Sequence, residues 1–305
     1  MNLLITTDCN LACGYCFADS LRQELGEREM SLPELEQALA YLDNDQHEVR
    51  LMGGEPTLHS RYAEILRSLK TRGYRVVVFT NGTCEQLRQT TPCLPDRVLM
   101  NVNDRDTYSA GQRKHIRENL AALGGRAELG YTITVPDFDL GWHRQLIQET
   151  GCRPVIRLGL AQPVIGGDNV YLADNELPEA HAALARWAMR LAPDGIRLGM
   201  DCGFMRCLFS DQDIETLIRA GTALRFECSP AVDLGPGLQA WRCYAFSNQI
   251  GADWSGFKDE QACRAHFLHR DVALPQLCSD CQHWQSGWCQ GGCRARVLLG
   301  AMVQH

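Results

Sequence analysis

At 305 residues, with 45% apolar and 22% charged residues, the chain exceeds one ordinary domain, and a large domain of about 200 residues followed by a smaller one is expected. No stretch nears the roughly 20 apolar residues that cross a bilayer, and the opening MNLLITTDCN has no basic segment, long apolar run or small-residue cleavage site. A cytoplasmic protein without membrane contact is therefore expected. The net charge of −7 argues against a broad phosphate-binding surface and disfavours nucleic acid as a partner.

In chain order, short apolar runs at 3–6, 49–52, 74–79, 98–102, 129–135 and 155–160 predict six strands. Between them, Leu32, Leu35, Leu39 and Leu42, then Tyr62, Ile65, Leu66 and Leu69, then Ile116, Leu120 and Leu123 repeat at helical spacing. The first of these helices opens with a Ser31-x-x-Glu34 capping box. Strands alternating with crossover helices imply a parallel sheet, either doubly wound or an incomplete barrel, with functional groups at the C-terminal strand ends. A further helix follows from Leu177, Ala180, His181, Leu184, Trp187, Ala188 and Leu191, and the turn Pro193-Asp194-Gly195 places the domain boundary near 193. Beyond it the pattern is irregular and rich in Gly, Cys and Trp, with a hairpin-like stretch at 234–246 and a helix near 258–268. Such a segment needs metal to fold.

Fifteen cysteines in a chain without an export signal favour metal ligation over disulfides. Cys9, Cys13 and Cys16 lie on one loop directly after the first strand, in ITTDCNLACGYCFA. Three thiolates so placed grip three irons of a cubane cluster and leave the fourth without a protein ligand. A structural zinc is the rival reading, but zinc usually takes four ligands as two pairs, and no fourth Cys or His lies nearby.

Gly53-Gly54-Glu55-Pro56 closes the second strand; its glycines permit close approach to the backbone, and the carboxylate offers an acceptor to an ammonium group. Taken alone it is an ordinary strand-ending turn. Thr80-Asn81-Gly82 ends the third strand. Asn101 and Asn103 fall on the fourth, Thr132 and Thr134 on the fifth and Arg157 on the sixth, and alternation turns about half of such side chains away from any shared pocket. Near the C-terminus, Cys278-x2-Cys281-x7-Cys289-x3-Cys293 forms a compact four-thiolate set, preceded by Cys207, Cys228 and Cys243, with Cys202 and Cys263 as further candidates. A zinc ribbon also fits two cysteine pairs. Cys84, Cys93 and Cys152 read as buried fillers, and Trp241, Trp284 and Trp288 as packing residues.

The loop motif resembles the radical S-adenosylmethionine (SAM) superfamily signature C-x3-C-x-aromatic-C, with Tyr15 as the aromatic. The resemblance implies an incomplete (β/α)6 TIM-like barrel over 1–193. It also implies a [4Fe-4S] cluster whose open iron binds the amino and carboxylate groups of SAM, with Tyr15 near the adenine and Gly53, Gly54 and Glu55 holding the methionine amino group. Asn81, Asn103 and Arg157 are further candidate SAM contacts. Residues 194–305 resemble the SPASM domain, or a shortened twitch-type version, which binds one or two auxiliary clusters. By that resemblance Cys207, Cys228, Cys243 and Cys293 hold the first, and Cys278, Cys281 and Cys289 the second, with its fourth position vacant or filled by Cys263 or Cys202. Two departures are visible. The family's x5 gap is x7 here, and no cysteine stands among the twelve residues after Cys293.

The resemblance makes a peptide or protein side chain the leading substrate class, modified by crosslinking, oxidation or epimerisation, with flavodoxin or ferredoxin as electron donor. A small amino acid or metabolite is the second reading, and a non-catalytic zinc-binding protein a remote third. With the first strand starting at residue 3, no leader-recognition domain is expected before it, and any leader would be recognised by the barrel or by a separate protein. Tyr244, in place of an aspartate after Cys243, speaks against a sulfatase maturase. No catalytic acid or base is identified.

Overall fold

Each of the six apolar runs forms a strand in the computed structural model, which describes residues 1–41, 47–89, 93–228, 230–246, 251–268 and 278–299. They are β1 (Asn2–Thr6), β2 (Glu48–Gly53), β3 (Arg75–Thr80), β4 (Arg97–Asn101), β5 (Ala127–Ile133) and β6 (Val155–Leu160). Helices α1 (Asp19–Leu25), α2 (Leu32–Tyr41), α3 (Tyr62–Thr71), α4 (Gln86–Gln89), α5 (Ala110–Leu123), α6 (Gly141–Thr150), α7 (Leu177–Leu191) and α8 (Asp211–Arg219) lie between and after them. The stripe of α3 is the one read from the sequence: Tyr62, Ile65, Leu66 and Leu69 are buried. Ser31 and Glu34 cap α2 reciprocally, at 2.7 and 3.3 Å, while Leu42 of its expected stripe lies outside the described residues.

The sheet extends beyond six strands. Its order is β10-β9-β8-β1-β2-β3-β4-β5-β6-β7, where β7 (Arg197–Met200) runs parallel to β6, and β8 (Asp233–Leu234) parallel to β1. Strands β9 (Gln239–Trp241) and β10 (Ala252–Asp253) complete the β8 edge in antiparallel fashion, so the expected hairpin is present. From β1 to β7 the parallel strands follow sequence order without reversal. A doubly wound sheet reverses at a switch point, whereas a barrel winds in one direction; the order therefore selects the open-barrel arrangement.

Alternation divides the sheet into two environments. Leu3, Ile5, Val49, Leu51, Val76, Val78, Met100, Leu129, Ile156 and Leu158 join the main apolar core with the helices. The other face carries Asn101, Thr132, Arg157, Gly159 and Asp201, which are small or polar and half-buried. Among the described residues no helix is long and apolar enough to cross a membrane.

His181 on α7 is fully buried against Phe204 and Phe209, and its Nδ1 donates to the Leu177 carbonyl at 2.6 Å. Burial lowers its pKa from 6.5 to about 4. The unfolded chain gains this proton first, so stability falls as pH drops from about 6.5 to about 4 and levels off below. The loss over that window is expected to be about 3 kcal/mol. Urea unfolding across the window checks it, with His181→Leu lacking this component.

Candidate active site and thiolate groups

The first cysteine loop leaves the C-terminal end of β1 and turns back on itself, Cys16 N–H donating to the Cys13 carbonyl at 3.0 Å. Cys9, Cys13 and Cys16 are all half-buried. Burial pushes the three thiols up, each feels at least one of the others, and Arg22 pulls all three down. Thiols in that state do not ionise unaided at neutral pH; a bound cation supplies what desolvation removes. Arg22 is itself fixed by its Nε–H bond to the Thr7 carbonyl. The Tyr15 hydroxyl is bonded to Cys13, and burial holds its pKa well above the usual range.

The GGEP turn continues the β1–β2 pairing out to this loop. Gly54 N–H donates to Thr6 O at 2.9 Å and Glu55 N–H to Asp8 O at 2.6 Å. A Cβ on Gly54 would overlap the Asp8 carbonyl, and one on Gly53 would stand 2.8 Å from Thr6 O. The glycines therefore admit the cysteine loop itself. Glu55 is fully buried, and its carboxylate accepts from Thr57 N–H (3.1 Å), Thr57 Oγ1 (2.6 Å), Thr80 Oγ1 (2.7 Å) and Asn81 N–H (2.7 Å). Burial raises its pKa while these donors pull it down. The carboxylate thus clamps the β2 turn to the β3 turn, with four donors from the protein.

Asn81 reaches the cluster loop directly. Its Nδ2 donates to Asn10 Oδ1 at 2.9 Å and lies 3.9 Å from Cys9 Sγ, while its Oδ1 accepts from Thr83. From behind, Asn119 of α5 holds the same turn, its Nδ2 donating to the carbonyls of Gly82 and Cys84 at 2.9 Å each. Asn119 was missed in the sequence, although a polar residue inside the Ile116, Leu120, Leu123 stripe was its signal. Asn10, which donates to Thr83 Oγ1 at 2.8 Å and Cys84 Sγ at 3.3 Å, carried none.

The remaining candidates stand further along the sheet. Asn103 is buried and bridges β4 to β5, donating to Thr132 O at 2.9 Å and accepting from Thr132 N–H at 3.4 Å. Asn101 donates to Thr132 Oγ1 at 3.3 Å. Arg157 on β6 pairs with Asp201, just past β7, on the polar face.

The later cysteines gather in two places. Cys243 packs with Cys293, Phe246 and Ala295, and Cys202 is electrostatically coupled to Cys228 and Cys293. Cys207 is coupled to Cys281 and Cys289, as is Cys278. Desolvation by the surrounding protein pushes the Cys202 thiol up to about 12. Among the described residues no three Cys, His, Asp or Glu side chains converge tightly enough to share a single metal ion. A cubane takes each thiolate on a separate iron and so accepts a wider spread. Thiolate donors are the kind of ligand that iron-sulfur clusters take. Cys263 lies in the main core near Glu260 and Tyr41.

Residues 3–122 match the model of the Radical SAM superfamily, and the chain spans less than half the length of the curated relatives it matches. It is 34% identical over 87 residues to the tungsten-containing aldehyde ferredoxin oxidoreductase cofactor-modifying protein of Pyrococcus furiosus, a match spanning 27% of this chain and 23% of that relative. A probable GTP 3′,8-cyclase of Methanothermobacter marburgensis is 29% identical over 130 residues, 40% of this chain and 41% of its own length. In fold the chain resembles Streptococcus suis SuiB, solved bound to S-adenosylmethionine, with a TM-score of 0.65, 14% identity, and coverage of 97% of this chain and 73% of that one. SuiB bound to its precursor peptide SuiA matches with a TM-score of 0.65 and 13% identity, over 97% and 72% of the two chains.

If Gly54 is there to admit the cysteine loop, Gly54→Ala costs about 1–3 kcal/mol and lowers iron retention. Gly125→Ala, where a Cβ meets nothing within 4 Å, is expected to change neither. Denaturant unfolding and iron counting of the two variants check this.

Proposed function

We propose that this chain is a radical SAM enzyme that reductively cleaves S-adenosylmethionine and abstracts a hydrogen atom from a peptide or protein side chain. The observation that carries the reading is the trio Cys9, Cys13 and Cys16, held at the C-terminal end of β1 by the Glu55 clamp, with Asn81 Nδ2 beside Cys9. When bound, the cluster and SAM supply an electron and a 5′-deoxyadenosyl radical. The protein's part is to hold three thiolates, to leave one iron free, and to present the polar face of the sheet to whatever is bound beyond it. Gly53, Gly54 and Tyr15 border that place, and Asn103 and Arg157 shape the face further along.

In the same proposal residues 1–193 provide the SAM barrel and 194–305 the auxiliary-cluster module. This division is one of function, since β7 and β8 belong to the same sheet. A reducing, cytoplasmic setting suits so many metal-binding thiols, and a flavodoxin- or ferredoxin-type protein would donate the electron. A peptide substrate is supported by the fold shared over 97% of the chain with SuiB, a protein solved with a precursor peptide. The GTP 3′,8-cyclase relatives support a second reading, a small-molecule substrate meeting the Arg157–Asp201 pair.

The test is anaerobic reconstitution followed by SAM and a reductant. 5′-Deoxyadenosine and methionine are expected from the wild type and neither from Cys13→Ala. Faster cleavage with a candidate precursor peptide supports the first substrate reading. Faster cleavage with a nucleotide, and none with peptide, supports the second.

A further inference from the structure

Arg296 is 1% exposed and reaches from the C-terminal segment to the stretch between β6 and α7. Its Nε–H donates to Gln162 Oε1 at 2.7 Å, and its Nη1 to the Leu172 carbonyl at 2.8 Å and to Asp174 Oδ1 at 2.7 Å. Its Nη2 donates to the Ala161 carbonyl at 3.4 Å. These partners lie at both ends of one excursion of the chain, so a single forked guanidinium closes the neck of an Ω-shaped loop over 161–174. The Tyr171 ring covers the fork, its centre 5.4 Å away. Inside the loop, Asn169 accepts from Val164 N–H and donates to the Gln162 carbonyl, each at 2.9 Å. Outside, Ile165 N–H donates to the Ala245 carbonyl at 3.0 Å, and a Cβ on Gly167 would stand 2.8 Å from Ser20 Oγ of α1. The far end of the loop rests on the candidate active site. Val170 N–H donates to the Gly14 carbonyl at 2.7 Å, and a Cβ on Gly14 would stand 3.4 Å from Val170 Cγ2. Val170 is 56% exposed, so its place is set by that backbone bond and by the braced loop rather than by burial of its side chain.

We propose that Arg296 is a positioning residue for the SAM-cluster loop: it closes the neck of the 161–174 loop, which carries Val170 onto Gly14 and fixes the backbone between Cys13 and Cys16. The inference rests on the radical SAM reading and adds to it a residue that no motif marks. Three thiolates must meet three irons of one cubane and leave the fourth open, so the path of the short backbone that joins them matters. With the neck open, Gly14 loses its fixed partner, Cys13 and Cys16 are no longer held in one arrangement, and SAM meets a less uniform open iron. The C-terminal segment thus shapes the SAM site from a distance, through Val170 and Gly14.

Hydrogen exchange and SAM-dependent electron paramagnetic resonance of the reconstituted protein test this together. In Arg296→Met, the amides of Val170 and of Cys16, whose N–H binds the Cys13 carbonyl, are expected to exchange about 10- to 100-fold faster. The SAM concentration that half-shifts the cluster spectrum is expected to rise about tenfold. Arg296→Lys keeps the charge, loses the fork and is expected to restore little of either. Val170→Pro removes the bond to Gly14 and leaves the neck closed. Its Cys16 amide and SAM response are expected to change as in Arg296→Met, with the Val164 amide as slow as in the wild type. Faster exchange at Val170 in Arg296→Met, with Cys16 and the SAM response unchanged, marks a merely structural role and overturns the proposal. So does a Val170→Pro variant whose Cys16 amide exchanges as in the wild type, and this variant decides alone should Arg296→Met not fold. A wild-type spectrum indifferent to SAM sinks the radical SAM reading, while Cys16 exchange in the variants still decides the positioning.

Discussion

A single buried carboxylate holds the candidate active site together. Glu55 has no solvent exposure, and a charge so placed costs several kcal/mol unless donors surround it. Its donors come from its own turn and from the end of β3, while its backbone N–H binds Asp8 at the head of the cysteine loop. Removing the carboxylate frees the β2 turn from the β3 turn. Cys9 is tied to Glu55 twice, through the backbone bond to Asp8 and through the carboxylate bond to Asn81.

Around this clamp the sheet separates packing from chemistry. Helices cover one face with a continuous apolar core, which leaves the other face free for polar groups such as Asn101, Thr132, Arg157 and Asp201. The C-terminal part of the chain returns to the β1 edge and closes against the cysteine loop. Phe17, next to Cys16, meets the Tyr244 ring with centroids 4.6 Å apart, and Tyr244 follows Cys243. Farther out, buried Arg296 binds Gln162 at 2.7 Å, Asp174 at 2.7 Å and the Leu172 carbonyl at 2.8 Å. One guanidinium with fixed forked geometry thus joins the segment after Cys293 to the loop after β6.

Much of this was legible in the sequence because it depends on local pattern. The six strands and the α3 stripe follow from apolar periodicity, and the α2 start from its capping box. Strand β7 is four residues and β8 two, too short for a period to show; they exist because neighbouring edges offer unpaired backbone groups. The roles of the turn residues were less legible. GGEP reads as a ligand-approach motif, yet the backbone that approaches is that of Asp8, a contact between segments distant in sequence. Asn103 shows the limit of strand position as a guide, since its amide is taken up in joining β4 to β5.

The central claim is that Cys9, Cys13 and Cys16 hold a cluster with one iron left for SAM. The most direct measurement is electron paramagnetic resonance of the reduced, reconstituted protein as SAM is added. The spectrum of one cluster is expected to shift on SAM addition in the wild type, with no such shift in a Cys9→Ala/Cys13→Ala/Cys16→Ala variant that retains its other clusters. A wild-type spectrum indifferent to SAM, or an equal shift in the variant, would contradict the account.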